Sequence, residues 1–94
     1  MDGVVTVDRQ VRVPNPLGLH ARPAALFVKL ASTFKADIEV GTAPATMVNG
    51  KSIMGVMMLA AECGSTITIR ATGPDATQAV DALAGLVANG FGES

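Results

Sequence analysis

The part of the sequence best suited to chemistry is residues 15–24, NPLGLHARPA, which contains the only histidine of the chain. Pro23 cannot lie in a helix interior, but the first turn of a helix tolerates proline. A helix is therefore predicted to begin at Ala21 or Arg22, which places His20 immediately ahead of its N-terminus. Unpaired N–H groups at a helix N-terminus attract anions, and a guanidinium can bind phosphate oxygens. The spacing therefore predicts a phosphate site beside the imidazole.

The imidazole of His20 is the candidate nucleophile of that site. A neutral imidazole can attack phosphorus, and both the helix end and Arg22 disfavour the imidazolium form. The same positive groups would stabilise the negative charge that a phosphoryl group adds, while Gly18 and Pro23 hold the geometry. From spacing alone, a surface histidine or a helix cap without chemistry, and a solvated Arg22, remain the alternatives.

A second motif lies at residues 51–58, KSIMGVMM. Ser52 is a favoured N-cap residue and is predicted to start a short apolar helix that ends near Leu59. Several of its side chains are expected to fill the core, but four of them span too wide an arc to be buried together: Ile53, Met54, Met57 and Met58. The exposed ones would form an adaptable apolar surface for a partner protein.

A phosphate on Ser52 would be electrostatically favoured at the N-terminus of this short helix. Its charge would disturb the apolar surface beside it. From the residues alone, a role for Ser52 as N-cap only is the alternative.

The remaining elements follow from hydrophobic periodicity. Alternating apolar residues predict strands at residues 5–13 (interrupted by Arg9), 36–40, 44–48 and 66–71. The helix after His20 has Phe27, Leu30, Ala31 and Phe34 on its apolar face. A last helix is predicted from Asp75, in a capping box with Gln78, to Asn89-Gly90. The order β-α-β-β-α-β-α favours an antiparallel sheet covered on one side.

Composition narrows the class of protein. The 94 residues suffice for one domain, residues 1–94, whose first four residues are expected to be a loose extension. The net charge of −1, with no Trp or Tyr, argues against a nucleic-acid partner. One His and one Cys, far apart in the chain, argue against a metal site. No nucleophile elbow, P-loop or dinucleotide fingerprint is present, so no cofactor is expected.

The expected location is the cytoplasm. Cys63 is the only cysteine, so no intramolecular disulfide can form, and a free thiol suits a reducing compartment. The N-terminal residues lack the pattern of a signal peptide. The longest apolar run, residues 53–61, is far shorter than the ~20 residues that cross a bilayer, so no membrane insertion is expected.

The two motifs together resemble the histidine-containing phosphocarrier (HPr) family of the bacterial phosphotransferase system. Residues 18–24, GLHARPA, match the family's active-centre signature, and residues 51–55, KSIMG, match its regulatory serine region. The resemblance extends from about residue 5 to residue 87. It implies an α+β fold, an open-faced β-sandwich in which three helices lie on one face of a four-stranded antiparallel sheet.

The resemblance also implies roles for particular residues. His20 would accept a phosphoryl group at Nδ1 from phosphorylated enzyme I, which phosphoenolpyruvate charges, and would pass it to an enzyme IIA domain. Arg22 would bind the phosphate. Ser52 would be phosphorylated by HPr kinase/phosphorylase in bacteria that have that enzyme. The residues expected to form a shared docking surface are Ala25, Leu26, Lys29, Ile53, Met54 and Met57.

A protein of this family is a carrier and not a turnover enzyme, because its own side chain is the stoichiometric acceptor and donor. It is expected to be a monomer, since its docking surface must stay free. Three alternatives stay open from the sequence. They are a regulatory protein controlled only through Ser52, the nitrogen-related paralogue NPr, and an α+β nucleic-acid-binding module, against which the acidic balance and the missing aromatic residues weigh.

Overall fold

A four-stranded antiparallel sheet organises the structure, a computed structural model that describes residues 5–42, 46–59 and 61–92. The strands are β1 (Val5–Arg12), β2 (Asp37–Gly41), β3 (Val48–Asn49) and β4 (Thr66–Gly73). The helices are α1 (Ala21–Ala31), α2 (Ile53–Met58) and α3 (Ala76–Ala88). The strands lie in the order β1-β4-β2-β3. The predicted α+β order is confirmed, while the expected loose extension lies outside the described residues.

The helices cover one face of the sheet, and the core lies between the two layers. In β4, Ile67, Ile69 and Ala71 are fully buried, whereas the threonines next to them retain exposure. Phe27 of α1 and Leu83 of α3 also have no exposed surface. The other face of the sheet carries polar cross-strand pairs, so the predicted open-faced β-sandwich is confirmed.

Arg9 interrupts the apolar alternation of β1 because it lies on the helix-covered side of the sheet. It is paired with Ile69 of β4, and directly paired residues share a face. Its Nη2 atom donates a hydrogen bond to Oδ1 of Asp81 on α3 at 2.6 Å. The two side chains are 43% and 57% exposed, and such surface pairs contribute only about 0–1 kcal/mol. The ion pair therefore accommodates a charge at the sheet edge without anchoring the fold.

The first helix ends before Phe34, which was predicted to lie on its apolar face. Ser32 is the C-cap of α1, and the hydroxyl of Thr33 donates a hydrogen bond to the Leu30 carbonyl oxygen at 2.6 Å. Side-chain hydroxyls compete in this way with the regular helical hydrogen bonds. Phe34 follows in the turn and still packs against the core, which is why its spacing resembled that of a helical residue.

The third strand is shorter than the predicted residues 44–48. Only Val48 and Asn49 pair with β2, and residues 43–45 lie outside the described part of the chain. A Cβ atom on Gly41 would lie 3.0 Å from the carbonyl oxygen of Thr46 and 3.0 Å from the Cα atom of Met47. The chain at Thr46 and Met47 thus lies close against the end of β2, and the ladder between β2 and β3 stops at Val48.

The N-terminus of α3 has no capping box. Asp75 is the N-cap by position, but its side chain makes no capping hydrogen bond. Its Oδ2 accepts from the Lys35 N–H and its Oδ1 from the Ala36 N–H, both at 2.8 Å. These hydrogen bonds lower the pKa of the Asp75 carboxyl below its ordinary value, the bond from Lys35 contributing most. Asp75 therefore fastens α3 to the turn before β2, a long-range contact where a local one was predicted.

This contact makes stability depend on pH in a defined direction. A carboxyl whose pKa is lower in the folded state stabilises the fold above its unfolded pKa of about 3.9 and loses that contribution as pH falls through the folded value. We expect Asp75→Asn to be less stable than the parent at about pH 7 and the difference to shrink below about pH 3, as measured by urea unfolding. Gln78→Ala is the control and should change stability little, because no capping box uses Gln78. A loss of stability in Gln78→Ala equal to that of Asp75→Asn would contradict this account.

Candidate functional site

His20 is the N-cap residue of α1, as the position of Pro23 predicted. Its backbone is extended, with φ −79° and ψ −169°, and its carbonyl oxygen accepts the N–H of Ala24 at 3.0 Å. Its side chain makes no capping hydrogen bond to the helix. The N–H groups at this helix end are therefore not used by the imidazole and can face an anion beside it.

The first turn of α1 contains no acidic residue. The N–H groups of Ala21 and Arg22 have no acceptor within the helix, and Pro23 has no N–H at all. The aligned peptide dipoles add a partial positive charge of about half a unit at this end. The Arg22 side chain is exposed and makes no ion pair with any residue in the described part of the chain. Both features suit an anion close to His20.

A buried asparagine and a glycine fix the loop that carries His20. Asn15 is only 3% exposed, and its Nδ2 donates to the Gly18 carbonyl oxygen at 2.6 Å. In return the Gly18 N–H donates to the Asn15 carbonyl oxygen at 3.0 Å. Gly18 has φ +64°, and a Cβ atom there would lie 2.2 Å from the carbonyl oxygen of Ala61. Only glycine allows the loop to approach Ala61 so closely.

The same loop is pinned to the segment between α2 and β4. The Leu19 N–H donates to the Ala61 carbonyl oxygen at 2.9 Å, next to His20 itself. Further along, the Val13 N–H donates to the Ser65 carbonyl oxygen at 2.9 Å and the Gly64 N–H donates to the Val13 carbonyl oxygen at 2.7 Å. These are all backbone contacts, so the position of the loop does not depend on the imidazole of His20.

A surface cavity of about 500 Å³ opens beside His20. The residues that line it come from both pinned segments: Pro16, Leu17, Leu19, His20, Ala61, Glu62 and Cys63. Within the half-buried His20 side chain, the Nε2 atom has almost no exposed surface. The ring therefore does not present its Nε2 side to solvent.

Ser52 is the N-cap of α2, which confirms that prediction. Its backbone is extended, and its Oγ accepts the N–H of Gly55 at 3.1 Å. Its carbonyl oxygen accepts the N–H of Val56 at 2.9 Å. The hydroxyl is thus already directed at the N-terminus of α2, where a negatively charged group would meet N–H donors.

The apolar side chains of α2 are exposed, contrary to the expectation that several would fill the core. Ile53, Met54, Met57 and Met58 are 46%, 73%, 43% and 76% exposed. Val56 is the only buried residue of this helix. In a helix of only six residues, Val56 takes the one position that faces the core, so the other apolar side chains remain exposed.

The residues predicted to form a docking surface lie on two helices that pack against each other, α1 and α2. Ala25 and Lys29 on α1 are exposed and Leu26 is half-buried. Ile53, Met54 and Met57 lie on α2. We refer to these six residues as the docking surface: Ala25, Leu26, Lys29, Ile53, Met54 and Met57. Their exposure is compatible with contact to a partner.

Sequence reasoning missed two features next to these sites. Leu17 is 75% exposed and lines the cavity beside His20, and its only signal was an apolar residue between a proline and a glycine. Glu62 and Cys63 line the same cavity from a segment some 40 residues away, for which the sequence offered no signal. Met58, which the sequence named as a candidate for the exposed apolar surface but the family resemblance did not include in the docking surface, is as exposed as Met54, one turn of helix earlier.

No group of three or more His, Cys, Asp or Glu side chains is arranged to hold a metal ion among residues 5–42, 46–59 and 61–92. No helix in that part of the chain is long and apolar enough to span a bilayer.

Comparison with known proteins assigns the family. The family described as PTS HPr component phosphorylation site matches residues 7–89. Phosphocarrier protein HPr of Cupriavidus necator is 47% identical over 87 residues, which are 93% of this chain and 97% of that protein. The chain therefore belongs to the HPr family of the phosphotransferase system.

Solved structures of the family agree in fold. The crystal structure of HPr from Thermoanaerobacter tengcongensis superimposes with a TM-score of 0.87 at 42% identity, covering 94% of this chain and 98% of that one. HPr from Bacillus anthracis gives a TM-score of 0.81 at 50% identity, covering 87% and 96%. The alternative of a nitrogen-related paralogue is not favoured, because these relatives are named HPr.

The close approach of Gly18 to Ala61 can be tested by adding one methyl group. Gly18→Ala places a Cβ atom against a backbone oxygen and forces an unfavourable φ, so we expect a loss of roughly 1–3 kcal/mol in the free energy of unfolding. The matched control is Gly85→Ala, because a Cβ atom on this exposed residue of α3 meets nothing within 4 Å. That change should stabilise the fold by about 0.5–1 kcal/mol. Urea unfolding of both variants measures the contrast; an unchanged Gly18→Ala would refute the steric argument.

Proposed function

We propose that this protein is a phosphocarrier of the phosphoenolpyruvate-dependent phosphotransferase system. It accepts a phosphoryl group on His20 from phosphorylated enzyme I and passes it to an enzyme IIA domain. The observation that supports this most strongly is the position of His20 at the N-cap of α1, where its imidazole is not used for capping. Membership of the HPr family supports the same function.

Nδ1 is the ring nitrogen that we expect to take the phosphoryl group. Nε2 is buried, so an incoming phosphorus atom cannot reach it in line without moving the loop. In the transfer, the Nδ1 lone pair forms the new N–P bond while the bond from phosphorus to the donor atom breaks. The reverse sequence delivers the group to the acceptor, and the imidazole is restored.

Arg22 and the first turn of α1 stabilise the charge that arrives with the phosphoryl group. The phosphoryl oxygens carry about −1.5 to −2 charges near neutral pH. They would meet the N–H groups of Ala21 and Arg22 and the exposed guanidinium of Arg22. No acidic side chain in the first turn opposes them. This arrangement would stabilise the phosphorylated form of His20.

The carrier is not a turnover enzyme, because each molecule holds one phosphoryl group on its own side chain and must give it up before it accepts another. The docking surface on α1 and α2 is the region we expect enzyme I and enzyme IIA domains to share. A shared surface must be free in solution, so we expect a monomer. The absence of paired cysteines and the cytoplasmic setting of phosphoenolpyruvate chemistry favour a cytoplasmic location.

Ser52 is the position at which we expect control by HPr kinase/phosphorylase, where the host has that enzyme. Its Oγ already faces the N–H of Gly55, so a phosphate there would find donors at the N-terminus of α2. The added charge would lie next to the exposed Ile53. Burying that surface against a partner would then require desolvating a phosphate, which is costly.

Phosphorylation with phosphoenolpyruvate and enzyme I tests the role of His20. We expect one acid-labile, base-stable phosphate per molecule of the parent protein and none on His20→Ala. Arg22→Ala should still be labelled, but about 10- to 100-fold more slowly, since a hydrogen bond to a charged group contributes about 1.5–3 kcal/mol.

The control for Arg22 is Lys35→Ala, which removes one exposed cation beyond the opposite end of α1 and should leave the rate near that of the parent. Labelling of His20→Ala at the parental level would rule out His20 as the acceptor. Equal slowing of Lys35→Ala and Arg22→Ala would show that overall charge, and not a phosphate contact, sets the rate.

A pair of substitutions isolates the effect of charge at Ser52. Aspartate and asparagine are both good N-cap residues and differ here only in charge. We expect Ser52→Asp to slow transfer from enzyme I by roughly tenfold, about 1.4 kcal/mol, and Ser52→Asn to stay near the parental rate. Rapid-quench transfer assays over the first turnover give both rates. If the two variants behave alike, a negative charge at this position is not inhibitory.

A further inference from the structure

Three of the five methionines of the chain are exposed together on α2. Met54 and Met58 are 73% and 76% exposed, and Met57 is 43% exposed. Met47, outside the helix, is half-buried. Six large hydrophobic side chains are exposed in the described part of the chain, and four of them belong to α2. This short helix therefore presents a cluster of thioether sulfurs to solvent.

The anchors of α2 do not involve these methionines. Val56 alone reaches the core, and Ser52 caps the helix through the Gly55 N–H. Lys51, just ahead of the helix, donates from Nζ to the Phe34 carbonyl oxygen at 2.8 Å. A chemical change at the three sulfurs would therefore alter the surface of α2 while its attachment to the fold stays in place.

We propose that Met54, Met57 and Met58 are a site of reversible oxidation, at which peroxides convert the exposed apolar face of α2 into a polar one. An exposed apolar surface made of leucine would be inert to these oxidants. One made of thioethers is not, because methionine sulfur is oxidised readily and its sulfoxide is polar. The methionine composition of α2 thus gives this face a reactivity that packing does not require.

The reaction balances with a peroxide, ROOH, as the oxidant. A lone pair of the thioether sulfur attacks one peroxide oxygen, the O–O bond breaks as the S–O bond forms, and ROH leaves with the proton. Sulfur loses two electrons and the peroxide gains two. Enzymes of the methionine sulfoxide reductase class reverse the change with electrons from a thiol reductant.

The consequence for phosphoryl transfer rests on the proposed function. Met54 and Met57 belong to the docking surface, and Met58 extends it on the same helix. A sulfoxide oxygen destabilises the complex with a partner protein if it is buried there without a hydrogen-bond donor. Oxidation should therefore slow both the arrival and the delivery of the phosphoryl group, while His20 itself is unaltered.

Peptide mapping locates the oxidation. The parent for this experiment is Cys63→Ser, because Cys63 is exposed, lines the cavity beside His20 and would otherwise be oxidised as well. After brief treatment with hydrogen peroxide, trypsin cleaves behind Lys51 and Arg70 and releases residues 52–70, which carry all three α2 methionines. Met47 lies in the separate peptide 36–51. Because 52–70 has three methionines and 36–51 has one, the rates are compared per methionine. We expect each sulfur of 52–70 to be oxidised several-fold faster on average than that of Met47, because the α2 sulfurs are more exposed.

Transfer kinetics measure the effect. We expect the peroxide-treated protein to accept phosphate from enzyme I about tenfold more slowly, with recovery after incubation with a methionine sulfoxide reductase. In a variant with Met54→Leu, Met57→Leu and Met58→Leu, the treated and untreated forms should transfer at the same rate as each other, because leucine is not oxidised by peroxide. Met47→Leu is the matched control and should remain as sensitive as the parent. Urea unfolding of treated protein should show the fold intact.

The possible outcomes either support the oxidation proposal or overturn it. Faster oxidation of residues 52–70 with a slower, repairable transfer supports the proposal. Equal oxidation per methionine in 36–51 and 52–70, or a loss of rate on peroxide treatment in the triple leucine variant, overturns it. If untreated protein takes no phosphate at His20, the proposed function fails instead. In that case, the relative oxidation of the two peptides still tests whether α2 is the reactive site.

Discussion

The position of His20 depends on a backbone contact between two loops that are distant in sequence. The N–H of Leu19 donates to the carbonyl oxygen of Ala61, and the same oxygen leaves no space for a Cβ atom on Gly18. Residues 18 and 19 lead into α1, whereas residue 61 follows α2. This contact therefore couples the helix that carries the acceptor imidazole to the helix that presents Ser52. A displacement of Ala61 would alter the loop that carries His20.

Two helix N-termini lie in this small structure close to the candidate sites, and they differ in what surrounds them. The first turn of α1 has Arg22 beside it and a cavity in front of His20, so an anion there is both stabilised and accessible. The first turn of α2 has no charged residue, and Ser52 is engaged with the Gly55 N–H. A negative group is thus electrostatically favoured beside α1, whereas at α2 it would adjoin an exposed apolar surface. The difference is consistent with a phosphoryl group being transferred at His20 and a phosphate on Ser52 being regulatory.

The sequence predicts well what short-range chemistry controls. Pro23 sets the start of α1, and Ser52 sets the start of α2, because each effect acts within one helical turn. The alternation of apolar and polar residues predicts β4, because every second residue of this strand lies on its buried face. The placement of His20 ahead of α1 follows from Pro23 alone, so this feature of the candidate site can be predicted from the order of residues.

What the sequence could not predict depends on partners far along the chain. Asp75 has the local pattern of a capping box, yet Lys35 and Ala36 compete for its carboxylate. The cavity beside His20 is completed by Glu62 and Cys63, which no periodicity connects to residue 20. The expected burial of several α2 methionines was wrong because the apolar character of a residue does not show whether it faces the core. In α2 only Val56 does so. Long-range packing decides each of these features.

The core contains none of the residues on which recognition would depend. It is built mostly from small and aliphatic side chains. Its largest fully buried ones are Phe27, Ile67, Ile69 and Leu83, and all four lie on α1, β4 and α3. Apart from Val56, α2 contributes nothing to it. Because stability scales with apolar area removed from water, changes at exposed positions of α2 alter it little. The exposed surface of α2 is therefore free to vary in chemistry, including the choice of methionine over leucine, while the loop contact at Ala61 keeps His20 in place.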